Sequence, residues 1–182
     1  MKEFKKVSES ETILTELMIP SYSNFGGKIH GGVILSLMDK VAYVCAAKHA
    51  ETYCVTAAIE RVDFLEPVEV GDLVSLMASV NYTGNSSVVV GIKVIAENIK
   101  TRQVKHTNTS YFTMVAIDEK NNPATVPGLI LETLEDTRRF YKALRRKELK
   151  KLHRDEEASI PTPVDMQEYA EFLSSERCVL AL

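Results

Sequence analysis

A chain of 182 residues is long enough for one domain with a sizeable core, or for such a domain and an appendage. Its 45% hydrophobic and 26% charged residues and its net charge of −3 are typical of a soluble globular protein, and they exclude the basic excess of a nucleic-acid binder. Because no apolar run reaches the roughly 18 residues that cross a bilayer and no stretch resembles a signal peptide, we expect a cytoplasmic protein without nucleic-acid or membrane partners.

The first fifty residues predict a strand, a loop and a long helix. Residues 11–20 indicate a strand that ends at Pro20, and residues 21–28 form a polar loop that contains glycine. Within residues 32–49, apolar side chains recur at i, i+3, i+4, i+7 and i+11, which places them on one stripe of a helix: Ile34, Leu37, Met38, Val41 and Cys45. We expect this stripe to be buried.

Four further segments predict strands: residues 55–65, 73–82, 87–97 and 104–117, followed by a loop over 118–127. They are rich in β-branched residues, and turn residues separate them. One long helix followed by four strands in series indicates an α+β fold, in which a single antiparallel sheet wraps around the helix.

Beyond residue 129 the composition changes. Residues 131–157 are dense in lysine, arginine and glutamate and predict an exposed charged helix with one narrow apolar stripe. We therefore divide the chain into a folded domain over residues 1–128 and a C-terminal helical appendage over residues 129–182, which either serves in assembly or is partly disordered.

The loop before the long helix holds the residues best suited to chemistry. Gly26, Gly27, Gly31 and Gly32 allow a ligand to approach the backbone closely and leave amide N–H groups uncovered. The first turn of a helix adds unpaired N–H groups and the positive end of the helix dipole. Such a place can stabilise negative charge on a carbonyl oxygen. Asp39, two turns into the helix at the border of the apolar stripe, is placed to be partly desolvated and to activate water or attack a carbonyl carbon.

Each of these features also has an ordinary structural interpretation. Paired glycines before a helix often form only a tight loop, and an aspartate at the edge of a stripe is usually solvated or salt-bridged. His30 either hydrogen-bonds to the backbone or contacts a substrate. The spacing alone therefore indicates a small α+β domain with a candidate anion site at the start of a helix.

The sequence resembles the hotdog-fold acyl-CoA thioesterases of the YciA-like and brain acyl-CoA hydrolase type. The resemblance runs from about residue 14 to residue 115, and the residues that carry it are Asn24, Gly27 to Gly32, Leu37 to Asp39, Val55, Thr56, Phe64 to Val68, Val70 to Asp72 and Gly84 to Ser87. It implies a central helix wrapped by an antiparallel sheet, a dimer with a continuous sheet, and assembly of dimers into a trimer of dimers. His30 departs from the family, where close relatives often have phenylalanine.

The resemblance also implies roles for individual residues. Asp39 falls on the catalytic aspartate, and Asn24 falls on a loop asparagine that faces the aspartate of the other subunit. Amides at Gly31 and Gly32 would stabilise the oxyanion, and His30 would contact the acyl chain. The turn that contacts coenzyme A falls on Gly84, Asn85, Ser86 and Ser87. The expected reaction is hydrolysis of an acyl-CoA thioester to a carboxylic acid and coenzyme A, with Asp39 as general base or nucleophile.

Three alternatives remain open at this point: a hotdog module that binds acyl-CoA without hydrolysing it, a hotdog dehydratase or hydratase that uses His30, and a purely structural role in assembly. We expect no metal, because the four histidines are scattered, and no cofactor, because coenzyme A is part of the substrate. No Gly-x-Ser-x-Gly elbow is present for a serine triad. Candidate cations for the coenzyme A phosphates are Lys93, Arg102, Lys105, Arg138 and Arg139.

Overall fold

The computed structural model describes residues 3–160 and 166–180. Its elements in chain order are β1 (Phe4–Lys6), β2 (Thr12–Leu17), α1 (Gly31–Ala50), β3 (Tyr53–Ile59), β4 (Asp72–Thr83), β5 (Ser87–Asn98), β6 (Val104–Ile117), β7 (Gly128–Ile130), α2 (Leu134–Ala158) and α3 (Met166–Leu173). Strands β2 to β6 form one antiparallel sheet in the order β2-β4-β5-β6-β3, with α1 against its inner face. This architecture confirms the predicted hotdog fold.

Helix α1 fills the curl of the sheet with the predicted stripe. Five apolar side chains at helical spacing are all buried: Ile34, Leu37, Met38, Val41 and Cys45. They pack on alternate residues of β4, β5 and β6, which are buried because successive side chains of a strand point to opposite faces. On the solvent side of α1, Ser36, Lys40 and Tyr43 are exposed.

The C-terminal end of α1 is held by a side chain of β1. At the C-terminal end, the buried Lys5 ammonium donates to the carbonyls of Lys48 and His49 at 3.0 Å each and pairs with Glu51 at 2.7 Å. A cation is favoured there because the last carbonyls of a helix lack partners and carry the negative end of its dipole. The sequence did not predict β1, which carries Lys5 and pairs in parallel with β7.

One predicted strand is shorter than expected. The sequence predicts a strand over 55–65, whereas β3 begins at Tyr53 and ends at Ile59. A bulge between Thr56 and Ala58 shifts its register against β6. Beyond Ile59 the chain keeps only separate hydrogen bonds to β6, so the favourable composition of residues 60–65 does not produce a ladder.

Beyond β7, the described part of the chain contains the helices α2 and α3. Helix α2 confirms the predicted charged helix, and α3 was not predicted. The sequence predicts that Pro161 and Pro163 break the helical pattern at residues 160–163, most of which lie outside the described residues. The contacts group the chain into two compact units, Met1–Leu144 and Arg145–Leu182; the division after residue 128 stays a prediction. Across residues 3–160 and 166–180, no helix is both long and apolar enough to span a membrane.

His49, near the end of α1, gives the fold a pH-dependent stability. Its ring is fully buried, and Nε2 lies 2.9 Å from the carbonyl of Pro127, so Nε2 carries the proton of the neutral ring. Burial, and then the nearby positive charge of Lys5, lower the pKa of His49 below its usual value of 6.5. The unfolded chain therefore binds a proton that the folded chain does not, over the range between those two pKa values.

We expect the free energy of unfolding to fall as the pH decreases below about 6.5, by at most about 1.4 kcal/mol per pH unit from this residue. His49→Gln retains a donor for Pro127 and cannot titrate, so its stability should decrease less over the same range. Urea unfolding of both proteins between pH 7.5 and 5 measures the difference. Parallel declines would contradict the assignment, since the remaining histidines are common to both proteins.

Candidate active site

The loop before α1 is shaped by the side chain of Asn24. Its Oδ1 accepts hydrogen bonds from the backbone N–H groups of Gly26, at 2.9 Å, and Lys28, at 3.2 Å. The Asn24 N–H donates to the carbonyl of Lys28 at 2.7 Å, and Gly27 has a φ of 75°, which favours glycine. The acceptor of this side chain is thus used within the loop. Its Nδ2 group has no acceptor within residues 3–160 and 166–180 and remains available to donate to a ligand.

His30 forms the N-cap of α1. Its Nδ1 accepts a hydrogen bond from the N–H of Gly32 at 2.9 Å, so Nε2 carries the ring proton and faces outward as a donor. The Gly32 amide donates to this cap and is not free to donate to an oxyanion in this structure, so its role as an oxyanion donor stays a prediction. The Gly31 N–H, at the first helical position, meets no acceptor in the described part of the chain. Of the two predicted amides, only Gly31 is free.

The two free donors line one cavity. It has a volume of about 410 Å³, and Asn24 and Gly31 belong to its lining together with apolar side chains: Ile29, Ile34, Phe64, Leu65, Pro67 and Val68. Lys28 and Glu66 complete the lining. An amide N–H and a carboxamide at the positive end of a helix suit a carbonyl oxygen that gains negative charge.

Asp39 lies further along α1 and is exposed in the single chain. Its Oδ1 accepts a hydrogen bond of 2.6 Å from Thr56 Oγ1 on β3, and that hydroxyl also lies 3.4 Å from the sulfur of Met114. This contact orients the carboxylate and leaves Oδ2 open to solvent. The expected partial desolvation of Asp39 is not met within one chain.

Sequence reasoning missed Thr56 as a site residue. Thr56 is one of the residues that carry the family resemblance, but nothing in the chain around it indicates a contact with a residue 17 positions earlier. The contact depends on the register that places β3 at the sheet edge beside α1. A search for polar residues facing Asp39 across the predicted edge strand could have found it.

The donors and the carboxylate are far apart in one chain. Asp39 follows Gly31 by eight residues, which corresponds to about 12 Å along a helix that rises 1.5 Å per residue. A carboxylate side chain spans a small part of this distance. The Gly31 amide and the Asp39 carboxylate of one chain therefore cannot act on the same carbonyl group.

The predicted coenzyme A turn joins β4 to β5. It is closed by a hydrogen bond from Gly84 N–H to the carbonyl of Ser87, at 2.8 Å, and Ser86 and Asn85 accept from Ala116 and Val126. Ser87 pairs with Val115, which in turn pairs with Val55, the neighbour of Thr56. The turn thus lies at the same end of the sheet as Asp39, two strands from β3, whereas Asn24, His30 and Gly31 lie at the start of α1.

Four of the five candidate cations already have acidic partners. Arg102 pairs with Glu97 at 2.9 Å and Lys105 with Asp72 at 3.4 Å. Arg138 and Arg139 both bind Glu135, whose pKa they lower to about 2 through their hydrogen bonds. Lys93 is exposed on the outer face of the sheet. No group of three or more histidine, cysteine, aspartate or glutamate side chains in the described ranges could hold a metal ion.

This chain is similar in sequence and in structure to known proteins. The family model described as Thioesterase superfamily matches residues 26–102. Protein VdlD of Helicobacter pylori is 43% identical over 141 residues, which cover 78% of this chain and 80% of that protein. The structure of an apo-hexameric acyl-CoA thioesterase superposes with a TM-score of 0.80 at 36% identity, and covers 88% of this chain and 100% of that one.

An acyl-CoA hydrolase from Staphylococcus aureus, solved with butyryl coenzyme A, coenzyme A and coenzyme A disulfide, has a TM-score of 0.78 at 29% identity, and covers 94% of this chain and 99% of that one. Its solved variants replace an asparagine, an aspartate and a threonine with alanine. The asparagine and aspartate are 15 positions apart, and the aspartate and threonine 17. Asn24, Asp39 and Thr56 have the same spacing here.

The cap at His30 predicts a measurable stability effect. His30→Ala should lower the free energy of unfolding by about 1 kcal/mol, since the Gly32 N–H loses its acceptor. His30→Asn is the matched control, because its carboxamide oxygen can accept the same hydrogen bond. Urea unfolding at pH 7.5 compares the three proteins. Equal losses in both variants would show that contacts of the imidazole other than the cap stabilise the fold.

Proposed function

This chain belongs to the thioesterase superfamily, and on that basis we propose that it is an acyl-CoA thioester hydrolase with Asp39 as its catalytic carboxylate. The observation that carries the proposal is the hydrogen bond from Thr56 to Asp39, which holds one carboxylate oxygen and leaves the other open. The likeness to the Staphylococcus aureus hydrolase supports it, because the residue types and spacings agree at three positions.

The chemistry follows from the groups available. Asp39 takes a proton from water, the hydroxide adds to the thioester carbonyl carbon, and the carbonyl oxygen becomes an oxyanion. The Gly31 N–H and the Asn24 Nδ2 group donate to that oxygen. The carbon–sulfur bond then breaks, coenzyme A leaves as thiolate and is protonated, and the carboxylic acid remains. Direct attack by Asp39 is the alternative, and an acyl-aspartate trapped during a single turnover would establish it.

No metal or further cofactor takes part in this scheme, because the carboxylate supplies the base and the amides supply the oxyanion donors. Activity should therefore withstand exhaustive chelation. The outward Nε2–H of His30 is a donor, which offers no base for a dehydratase. Hydrolysis distinguishes the enzyme from a module that only binds acyl-CoA.

The site needs two protomers. The Gly31 amide and Asp39 are about 12 Å apart in one chain, and β3, which carries Thr56, is an edge strand of the sheet. Tyr53 and Ile59 on this strand are 57% and 47% exposed, although both are large and apolar. A two-fold axis perpendicular to the sheet at this edge would join two sheets in antiparallel pairing and place the Asn24 loop of one protomer near Asp39 of the other. We further propose that such dimers assemble into a trimer of dimers.

Replacing Asp39 with asparagine should abolish turnover and leave the fold unchanged. The variant keeps an oxygen that accepts from Thr56 but loses the base, which usually costs about 10²- to 10⁴-fold in rate. Release of coenzyme A from a panel of acyl-CoAs, followed with a thiol reagent, measures turnover. Retention of more than about a tenth of wild-type turnover would refute the assignment.

Two substitutions of Thr56, by serine and by valine, form a matched pair for the same assay. Thr56→Ser keeps the hydroxyl that donates to Asp39 and should retain turnover. Thr56→Val has nearly the same shape without the donor, and should lose turnover because the carboxylate is no longer oriented. If valine and serine variants are equally active, Thr56 is not a positioning residue.

Hybrid oligomers test the shared site. Asn24→Asp keeps the oxygen that shapes the loop but removes the donor, so it and Asp39→Asn should each be inactive alone. After random subunit exchange in equal amounts, half of the dimers are hybrids with one intact site each, so activity should return to about one quarter of wild type. Mass spectrometry verifies the exchange. Verified hybrids that remain inactive would place each site within one chain.

A further inference from the structure

The segment between β3 and β4 covers the start of α1. After Ile59 the chain follows β6 through hydrogen bonds from Glu60 N–H to the carbonyl of Tyr111 and from Leu65 N–H to that of Thr107, each 2.9 Å long. The hydroxyl of the buried Ser110 donates to the carbonyl of Glu60 at 3.1 Å. These anchors hold residues 60–65 against β6 without making them a strand.

Phe64, in the middle of this segment, lies against Gly31. A Cβ built on Gly31 would be only 3.3 Å from Cζ of the Phe64 ring and 3.5 Å from Cε2, so the tip of the ring faces the helix start. The same ring remains 49% exposed, because its other side faces the cavity and solvent. Phe64 is therefore next to the free Gly31 amide and forms a wall of the cavity that this amide lines.

The cavity combines two free donors with mostly apolar walls. Its free donors are the Gly31 N–H and the Asn24 carboxamide, and its other walls include Ile29 and Val68, which are 6% and 5% exposed. Ile34, at 1% exposure, lies one turn of α1 beyond Gly31. Because Ile34 also belongs to the packed core, this side of the cavity is closed.

We propose that this cavity binds the acyl chain of the substrate and that Phe64 determines which chain lengths are hydrolysed, an inference that rests on the proposed function. A thioester carbonyl held by Gly31 and Asn24 has two substituents. The coenzyme A side is long and carries phosphates, so it must extend into solvent. The alkyl side is apolar and is stabilised by apolar walls, which here are Ile34, Phe64 and Val68.

The size of the side chain at position 64 then sets how much of the cavity the acyl chain can occupy. In the wild type, kcat/KM should rise by about fourfold for each methylene that enters the cavity, until the chain meets its closed side, and then stop rising. Phe64→Ala should move this limit to longer chains by removing the ring. Phe64→Trp should move it to shorter chains.

The experiment measures kcat and KM for saturated acyl-CoAs from acetyl to lauroyl with the wild type and both variants. Ile99→Ala is the control: Ile99 is equally exposed at 49%, lies in the turn between β5 and β6, and does not line the cavity. Circular dichroism and size-exclusion chromatography check the fold and the assembly, and Phe64→Leu serves in place of a variant that fails to fold. The expected result is opposite shifts of the preferred length in the two variants and no shift in the control.

The experiment distinguishes failure of this inference from failure of the proposed function. If the wild type hydrolyses no acyl-CoA, the proposed function itself is wrong. If it hydrolyses them and Phe64→Ala changes KM by the same factor for every chain length, the ring contacts the coenzyme A portion common to all substrates, and the inference is overturned. An unchanged profile in all variants overturns it as well.

Discussion

A long helix enclosed by a sheet leaves polar backbone groups at both of its ends, and the structure depends on how they are satisfied. At the C-terminal end of α1, the carbonyls of Lys48 and His49 accept from the buried Lys5 ammonium. At the N-terminal end, His30 caps the Gly32 amide and leaves that of Gly31 open. One end is closed by a strand brought from the chain terminus, while the other keeps a donor for a ligand.

The loop before α1 uses one side chain for two purposes. The oxygen of Asn24 holds the backbone of the loop in place, and this fixes the nitrogen of a side chain that lines the cavity. A donor fixed in this way needs no reorganisation when charge develops on a carbonyl oxygen, which is the main advantage of an enzyme site over water. The glycines around it are required by the turn and by the approach of Phe64 to Gly31.

The rigid rise of a helix makes assembly part of the chemistry we propose. Because Gly31 and Asp39 lie about 12 Å apart on one rod, no side-chain movement can bring them to the same carbonyl. The exposed edge strand β3, with Thr56 holding Asp39, offers the place where a second chain would complete the site and remove water from the carboxylate.

The sequence by itself determined a helix enclosed by one antiparallel sheet, because the buried stripe of α1 and the strands β4, β5 and β6 have local patterns. The hotdog architecture came from the resemblance to a family. The sequence also identified Asn24, Asp39 and the glycines as candidates, through their residue types and their resemblance to a family. Only the tertiary structure decided which groups are free: Gly31 rather than Gly32, Asn24 Nδ2 rather than Oδ1, and Thr56 beside Asp39. These outcomes depend on caps, register and contacts between residues distant in the chain. Lys5 shows the same limit, since a three-residue strand has no periodicity to detect and its partner β7 lies more than a hundred residues away.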